Sequence, residues 1–281
     1  MNREMLAVTV SVLILGFSGA TFAGEDAQAL FERANQYAAR GQYDKAEAAY
    51  GEIIAENPES IHAHNRLGLV YAMSDFKIKE GMEHIITAIK LNPRFAIGYH
   101  NMGTLCYYLG IGDQALGYLA TALKLSPQDA ETLSTVGWYF LISKRDYEKA
   151  VPLMEQALSI DKRNIKAPFG LGLTHIENGN AGGVLEMITA LRTAGHEELA
   201  YVLEEMLRRS RDSANQLSLN DLIEVSIRIE KNASRASDKL TEYDPISGRL
   251  VLVVGAKAAG LAAARSSRGS TLENDIFDGG L

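Results

Sequence analysis

Apolar positions recur with helical spacing from about residue 27 to residue 195, and short polar turns interrupt them at regular intervals. Each interval holds two such apolar segments, which predicts a pair of amphipathic helices. Gly41 and Gly110 lie in the turns between paired helices. Glycine readily adopts the left-handed backbone conformation that commonly ends a helix, so each is predicted to end the first helix of its pair. Asn57-Pro58 and Asn92-Pro93 predict the end of the second helix, because the residue before proline avoids the α region.

Three columns of residues keep one period through this stretch, with members 34 or 35 residues apart. The first two columns hold mainly small residues, which allow close helix approach, and the third is apolar. One pair cannot bury its apolar face alone, so neighbouring pairs are expected to stack into a continuous core. The columns are Ala34, Gly68, Gly103, Gly137 and Gly172; Ala46, Gly81, Ala115, Ala150 and Val184; and Ile53, Ala88, Ala122, Ala157 and Leu191.

These columns resemble the tetratricopeptide repeat (TPR). In the first unit the matching residues are Leu30, Ala34, Tyr37, Gly41, Ala46, Tyr50 and Pro58, and in the third they are Tyr99, Gly103, Gly110, Ala115, Leu119, Ala122 and Pro127. The resemblance implies an all-α solenoid whose first helices line an inner groove that binds proteins or peptides, without enzymatic activity. Units two and four carry one extra residue each, which we expect in the turn between the paired helices.

The predicted domain order begins with five repeats at residues 27–60, 61–95, 96–129, 130–164 and 165–195. Residues 196–210 follow as an amphipathic capping helix, with Leu199, Val202, Leu203, Met206 and Leu207 on one face. Residues 211–264 form a poorly defined tail in which residues 223–230 fit a strand or a helix equally well. Residues 250–254 are a β-like run, and residues 265–281 are expected to be disordered.

The N-terminal residues 1–23 have the features of a secretory signal peptide. A 12-residue apolar run at residues 6–17 precedes the small residues Thr21 and Ala23, so we expect cleavage after Ala23 and a periplasmic or secreted protein. The alternative is an uncleaved membrane anchor, because residues 6–23 carry no charge and approach spanning length. That segment is the only membrane contact the sequence predicts.

Composition and side-chain chemistry argue against several other functions. The net charge is −7, whereas nucleic-acid binding needs a basic surface. The single cysteine, Cys106, is expected to be a small buried residue, and it allows no internal disulfide and no thiolate metal cluster. His62 and His64 point to different sides of a helix and cannot share a metal. No catalytic residue, metal ligand or cofactor is therefore predicted.

The leading hypothesis is an exported, non-enzymatic scaffold that holds a protein or peptide in an inner groove. Asparagine amides pair with an extended backbone, and aromatic rings supply rigid contact area. One alternative is a membrane-tethered subunit of a cell-envelope assembly or secretion complex. Another is an accessory subunit of an enzyme, with the specific function in the tail. The predicted partner-binding residues are Asn35, His62, Asn65, His100, Asn101, Tyr107 and Trp138.

Overall fold

The computed structural model describes residues 27–74, 77–212, 241–244 and 249–252. In this part of the chain eleven helices follow one another, and helix α1 covers residues 27–39. The others are α2 (Tyr43–Glu56), α3 (Ile61–Met73), α4 (Ile78–Leu91), α5 (Ala96–Tyr108), α6 (Gly112–Leu125), α7 (Ala130–Tyr139), α8 (Tyr147–Ile160), α9 (Lys166–Glu177), α10 (Ala181–Thr193) and α11 (Glu197–Asp212). The fold is a TPR-type α-solenoid, as the repeats predict.

The chain divides between Leu91 and Asn92 into two compact units. The described helices α1–α4 form unit 1, and helices α5–α11 with two short strands form unit 2. Within each unit the two helices of a pair pack directly on each other, and each pair also contacts the following one. Helix ends fall where the sequence predicts them, since α2 stops at Glu56 and α4 at Leu91, one residue before each Asn-Pro pair.

Close contact between paired helices depends on the two columns of small residues. In unit 1 a Cβ at Gly68 on α3 would lie 2.6 Å from the carbonyl oxygen of Gly81 on α4, and the reverse distance is also 2.6 Å. In unit 2 a Cβ at Gly103 would lie 2.7 Å from Leu119 Cγ, and one at Gly137 would lie 2.8 Å from Met154 Cγ. Real Cβ atoms do not pack at such distances. At Gly68 and Gly81 the neighbouring atom belongs to the backbone, so α3 and α4 can approach this closely only with glycine at these positions. At Gly103 and Gly137 a larger residue would displace the side chain of Leu119 or Met154.

Both turns with a predicted left-handed glycine have the expected conformation, and the turn of the fourth pair uses another residue. Gly41 and Gly110 have φ values of 69° and 83°, so both adopt the expected left-handed conformation. In the fourth repeat Arg145 takes this role with φ 56°, directly after a π-helical turn at Phe140–Lys144. The π turn accommodates the extra residue of this repeat at the end of the first helix. The prediction had placed that residue slightly later, in the turn between the paired helices.

Helix α11 covers the apolar end of the last pair. Val202, Leu203, Met206 and Leu207 are buried, as the predicted apolar face requires, and Leu199 is half-buried. A Cβ at Gly172 on α9 would lie 2.5 Å from Leu203 Cδ1, so Leu203 occupies the space that the missing side chain leaves. The terminal helix therefore has the capping position expected for a solenoid.

Two strands follow the helices, β1 (Thr241–Asp244) and β2 (Arg249–Leu252), paired antiparallel with Glu242 opposite Val251. Strand β2 includes the first part of the β-like run predicted at residues 250–254. The predicted signal segment (1–23), the ambiguous segment (223–230) and the predicted disordered end (265–281) lie outside the described residues. Among the helices that the structure describes, none has both the length and the apolar character that a bilayer span needs.

Candidate functional site

The predicted groove residues lie on the first helices of their pairs, and in unit 2 they lie on α5 and α7. The first helix of the fifth pair, α9, is the next inner helix of this unit. Along α5 the side chains separate onto different faces. Gly103 faces α6, while His100 and Tyr107 make contacts with α7. Ile97, Asn101, Thr104 and Tyr108 recur at helical spacing and share a further face, named here the α5 inner stripe. Asn101 and Thr104, at the centre of this stripe, are 0% exposed.

A polar chain links α5 to the start of α7. Thr132 donates its hydroxyl proton to Asp129 Oδ2, and the Thr132 backbone N–H donates to the same atom at 3.3 Å, so Asp129 caps α7. His100 Nδ1 lies 2.9 Å from Thr132 Oγ1. Because the Thr132 proton goes to the carboxylate, the hydroxyl oxygen accepts from His100 Nδ1–H. His100 is thus a buried, oriented side chain.

A second polar cluster joins α7 to the start of α9. Lys166 Nζ forms an ion pair with Glu131, and its side chain is 0% exposed while that of Glu131 is 21% exposed. Asn164 Nδ2 donates to Ser134 Oγ at 3.0 Å, and Asn164 Oδ1 accepts from the Ala167 backbone N–H at 2.9 Å. These bonds tie the two inner helices together one repeat apart, which keeps their buried polar groups satisfied.

Aromatic side chains extend the contacts between the inner helices of unit 2. The Trp138 ring is fully buried with its centroid 6.2 Å from that of Phe169. The Tyr107 ring meets the Tyr139 ring edge to face at 5.8 Å, and Ser143 Oγ donates to Tyr107 Oη at 3.4 Å. Burial raises the pKa of Tyr107 to about 12, so its hydroxyl stays protonated at neutral pH. Trp138 and Tyr107 therefore also serve the packing between repeats.

Unit 1 holds three of the predicted groove residues. Asn35 Oδ1 accepts a hydrogen bond of 2.6 Å from Tyr50 Oη, which connects α1 to its partner α2. His62 is exposed at the start of α3, and Asn65 is buried at 1% exposure. His62 is thus an accessible position on the first helix of its pair, whereas the amide oxygen of Asn35 is already hydrogen-bonded to Tyr50 of the same pair.

Two histidines of unit 1 meet in a contact that joins α3 to α4. His64 Nδ1 and His84 Nδ1 lie 2.9 Å apart, and His64 Nε2 lies 3.0 Å from the Pro58 carbonyl oxygen. A carbonyl can only accept, so His64 carries its proton on Nε2, and its Nδ1 accepts from His84 Nδ1–H. The Tyr71 ring packs 5.5 Å from the His84 ring.

We expect unit 1 to lose stability as the pH falls. Burial and then the neighbouring His64 lower the pKa of His84 from its ordinary value of 6.5, against a smaller opposing effect of Glu83. The unfolded chain therefore binds a proton at a higher pH than the folded chain. The contribution of neutral His84 to the free energy of unfolding is complete above pH 6.5, and it is lost as the pH falls through the pKa of His84 in the folded chain. Urea unfolding at about pH 7.5, about pH 6.5 and about pH 5.5, which bracket the ordinary histidine pKa, measures the loss.

The variant His84→Gln should reduce this pH dependence, because glutamine does not titrate in that range. His62→Gln is the matched control, since His62 is exposed in the same unit. It should leave the pH dependence as in the parent chain. Equal slopes for the parent and His84→Gln would show that the histidine contact does not couple folding to pH.

The structure differs from an open groove lined by the predicted residues. Asn65, His100, Asn101, Tyr107 and Trp138 are buried, while His62 is exposed and Asn35 half-buried. Partner binding by these residues stays a prediction. Sequence reasoning missed Thr132 as the partner of His100. It also missed the Lys166–Glu131 ion pair, the hydrogen bond from Asn164 to Ser134 and the His64–His84 contact. Asp129 three residues before Thr132 was a visible helix-capping signal, but nothing local connects either residue to His100.

No group of three or more histidine, cysteine, aspartate or glutamate side chains that could hold a metal occurs within the described ranges. Cys106 is buried, as expected, and burial raises the pKa of its thiol to about 12. The buried side chains of the inner helices include hydroxyl, amide, imidazole and aromatic groups.

Two segments of the chain match family models of the tetratricopeptide repeat, at residues 27–60 and 132–164. Among solved structures, pilF of Pseudomonas aeruginosa is similar at a TM-score of 0.60 and 15% identity, over 76% of this chain and 94% of that one. TTC0263, a thermophilic TPR protein in Thermus thermophilus, is similar at a TM-score of 0.52 and 21% identity, over 64% and 97%. No curated protein sequence matches the chain. The repeat matches support the TPR assignment, and the structural likenesses establish the fold.

Proposed function

We propose that this chain is an exported, non-enzymatic scaffold that binds a protein or peptide on its inner helices. The observation that carries the proposal is the α5 inner stripe, together with the buried polar and aromatic side chains of α7 and α9. A helix that serves packing alone is expected to bury apolar side chains, whereas α5 also buries Asn101, Thr104 and His100. Buried amides and hydroxyls on a repeat scaffold are suited to pair with the backbone of an extended segment.

Export is supported by the sequence of residues 1–23 and is tested by the mass of the mature protein. The full chain is expressed in its native host with a C-terminal tag, and its intact mass is measured. We expect the first 23 residues to be absent, following cleavage after Ala23. A chain that keeps these residues and sediments with membranes would favour the tethered alternative instead.

Partner binding is tested by site-specific photo-crosslinking in cells, because alanine at the buried groove residues would test folding as much as binding. A benzoylphenylalanine replaces His62, which is exposed on α3, or in a second variant Ile97, which is half-buried on the α5 inner stripe. We expect each position to capture a partner. The control position is Gln156, exposed on the second helix of the fourth pair.

Capture of the same products from Gln156 at equal yield, or no capture from either His62 or Ile97, would contradict binding on the inner helices. The same crosslinking experiment also tests the alternative in which residues 211–281 carry the specific function. A chain that ends after residue 210 should still crosslink at His62 if the helices hold the partner. If crosslinking depended wholly on the tail, the second alternative would be favoured.

A further inference from the structure

The contact between His64 and His84 brings two metal-binding side chains together between α3 and α4. Their Nδ1 atoms lie 2.9 Å apart, and the two ring centroids are 5.2 Å apart. Both helices belong to unit 1, and the close approach of Gly68 and Gly81 holds their backbones against each other. Because packed helices and not a loop carry the two imidazoles, their nitrogen atoms are held within reach of a single ion.

The hydrogen bonds of His64 are those of a metal ligand. A histidine that binds a metal commonly donates its other ring N–H to a carboxylate or a backbone carbonyl, which fixes the tautomer. His64 Nε2 donates to the Pro58 carbonyl oxygen at 3.0 Å, so the lone pair on its Nδ1 is directed at His84. Burial and the neighbouring His64 lower the pKa of His84, so its ring is neutral at pH 7. A neutral imidazole is the form that binds a metal.

We propose that His64 and His84 together bind a divalent transition-metal ion of the kind that imidazole prefers, with Zn²⁺ as the probe. Each ring supplies its Nδ1 atom as a ligand. In the part of the chain that the structure describes, no third histidine, cysteine, aspartate or glutamate joins them, so water fills the remaining positions. A site with two protein ligands is open and exchangeable, unlike a closed structural site. The proposal goes beyond partner binding and does not depend on it.

The ion fits after a small rearrangement of the two rings. Two nitrogen atoms bound to one tetrahedral Zn²⁺ lie about 3.3 Å apart, so the present separation of 2.9 Å must grow by only about 0.4 Å. The rings must also tilt so that both lone pairs meet at the ion, and the terminal torsion of a histidine is soft. His84 is half-buried, so water can take its Nδ1 proton and return one to Nε2. The ring stays neutral, and no net proton is released.

The side chains around the pair leave these two nitrogen atoms as the ligands. The Tyr71 ring packs 5.5 Å from the His84 ring, and its hydroxyl donates to Glu47 Oε1 at 3.1 Å. Lys77 Nζ also binds this carboxylate, at 2.7 Å. Tyr71, Glu47 and Lys77 are therefore bound to one another beside the site. Glu83 is exposed on α4, and its negative charge raises the pKa of His84, so the same charge favours a bound cation.

The first test identifies the nitrogen atoms that bind the ion. The ¹⁵N-labelled full chain, without a polyhistidine tag, is titrated with zinc chloride at neutral pH, and the imidazole nitrogen atoms are followed by long-range ¹H–¹⁵N correlation NMR. We expect the Nδ1 signals of His64 and His84 to move together and to saturate at one ion per chain, because coordination changes the shift of the bound nitrogen. The signals of His100, which is buried against Thr132, should stay unchanged.

The second test compares variants by calorimetric titration with Zn²⁺. His84→Gln removes one ligand, while its amide can still donate to His64 Nδ1, so we expect an affinity at least about tenfold weaker than that of the parent chain. His62→Gln is the matched control, since His62 is exposed on the same helix as His64, and it should leave the affinity unchanged. Saturating Zn²⁺ should also raise the urea midpoint of the parent but not of His84→Gln, because the site exists only in the folded chain.

Three outcomes would overturn the proposal. One is that Zn²⁺ moves the signals of His62, His175 or His196 and leaves those of His64 and His84 unchanged. Another is that no imidazole signal moves at all. The third is that the His84→Gln and His62→Gln chains bind Zn²⁺ equally well. The NMR titration uses the parent chain, so it decides the proposal even if a variant does not fold. Crosslinking at His62 and Ile97 tests partner binding separately, and neither result depends on the other.

Discussion

Replacement of Glu131 by alanine is expected to lower the free energy of unfolding by about 3–5 kcal/mol, the largest loss that we predict for a single side chain. The reason is Lys166, whose side chain is completely buried and forms its ion pair with Glu131. Without the carboxylate, the ammonium group is left in a site from which water is excluded. Lys166→Met removes the charge and keeps the apolar stem, so its cost should be only about 1 kcal/mol. Urea unfolding followed by circular dichroism measures both.

Asp113 provides a matched control for this comparison. It is also an acidic residue in the first turn of a helix, and it pairs with Lys144 at 3.3 Å. Its side chain is 92% exposed, so water replaces the lost partner and Asp113→Ala should change the unfolding midpoint little. Two outcomes would contradict the importance of an unpaired buried charge. One is that Glu131→Ala lowers the free energy of unfolding as little as Asp113→Ala does. The other is that Lys166→Met lowers it more than Glu131→Ala does.

Alanine at Gly68 is expected to destabilise the chain by about 2 kcal/mol or more, although alanine is the better helix former. The added methyl group would lie 2.6 Å from the Gly81 carbonyl oxygen and 2.7 Å from Ile85 Cγ1. Since one of these atoms belongs to the backbone, helices α3 and α4 must move apart, and the apolar contacts along the pair loosen. The measurement is again the urea midpoint, together with hydrogen exchange of the α3 amides, which reports local opening.

Gly51→Ala separates the steric effect from helix propensity. Gly51 lies inside α2 of the same unit, and a Cβ there would meet nothing within 4 Å. Alanine at this position should stabilise the chain by up to about 1 kcal/mol. If Gly68→Ala also stabilised the chain, the close approach of α3 and α4 would not depend on glycine, and the structural meaning of the small-residue column would be wrong.

The outcome for the inner helices shows how far a repeat pattern predicts a site. The period correctly placed His100, Asn101 and Tyr107 on the first helix of the third pair. It did not indicate their burial, because helical phase specifies the side of a helix and not what lies against it. The contact between α5 and β2 involves residues more than a hundred positions apart in sequence, and no local signal near Asn101 points to it.

What the sequence determined by itself is local or strictly periodic. It specified five helix pairs, the left-handed Gly41 and Gly110, the helix ends before Asn-Pro and the apolar face of α11, because each depends on backbone sterics or on burial at helical spacing. Tertiary structure alone decided the His64–His84 contact, the Lys166–Glu131 pair and the position of β2 beside α5. These depend on side chains meeting across different helices, where packing and desolvation select a single arrangement among many that the same pattern allows.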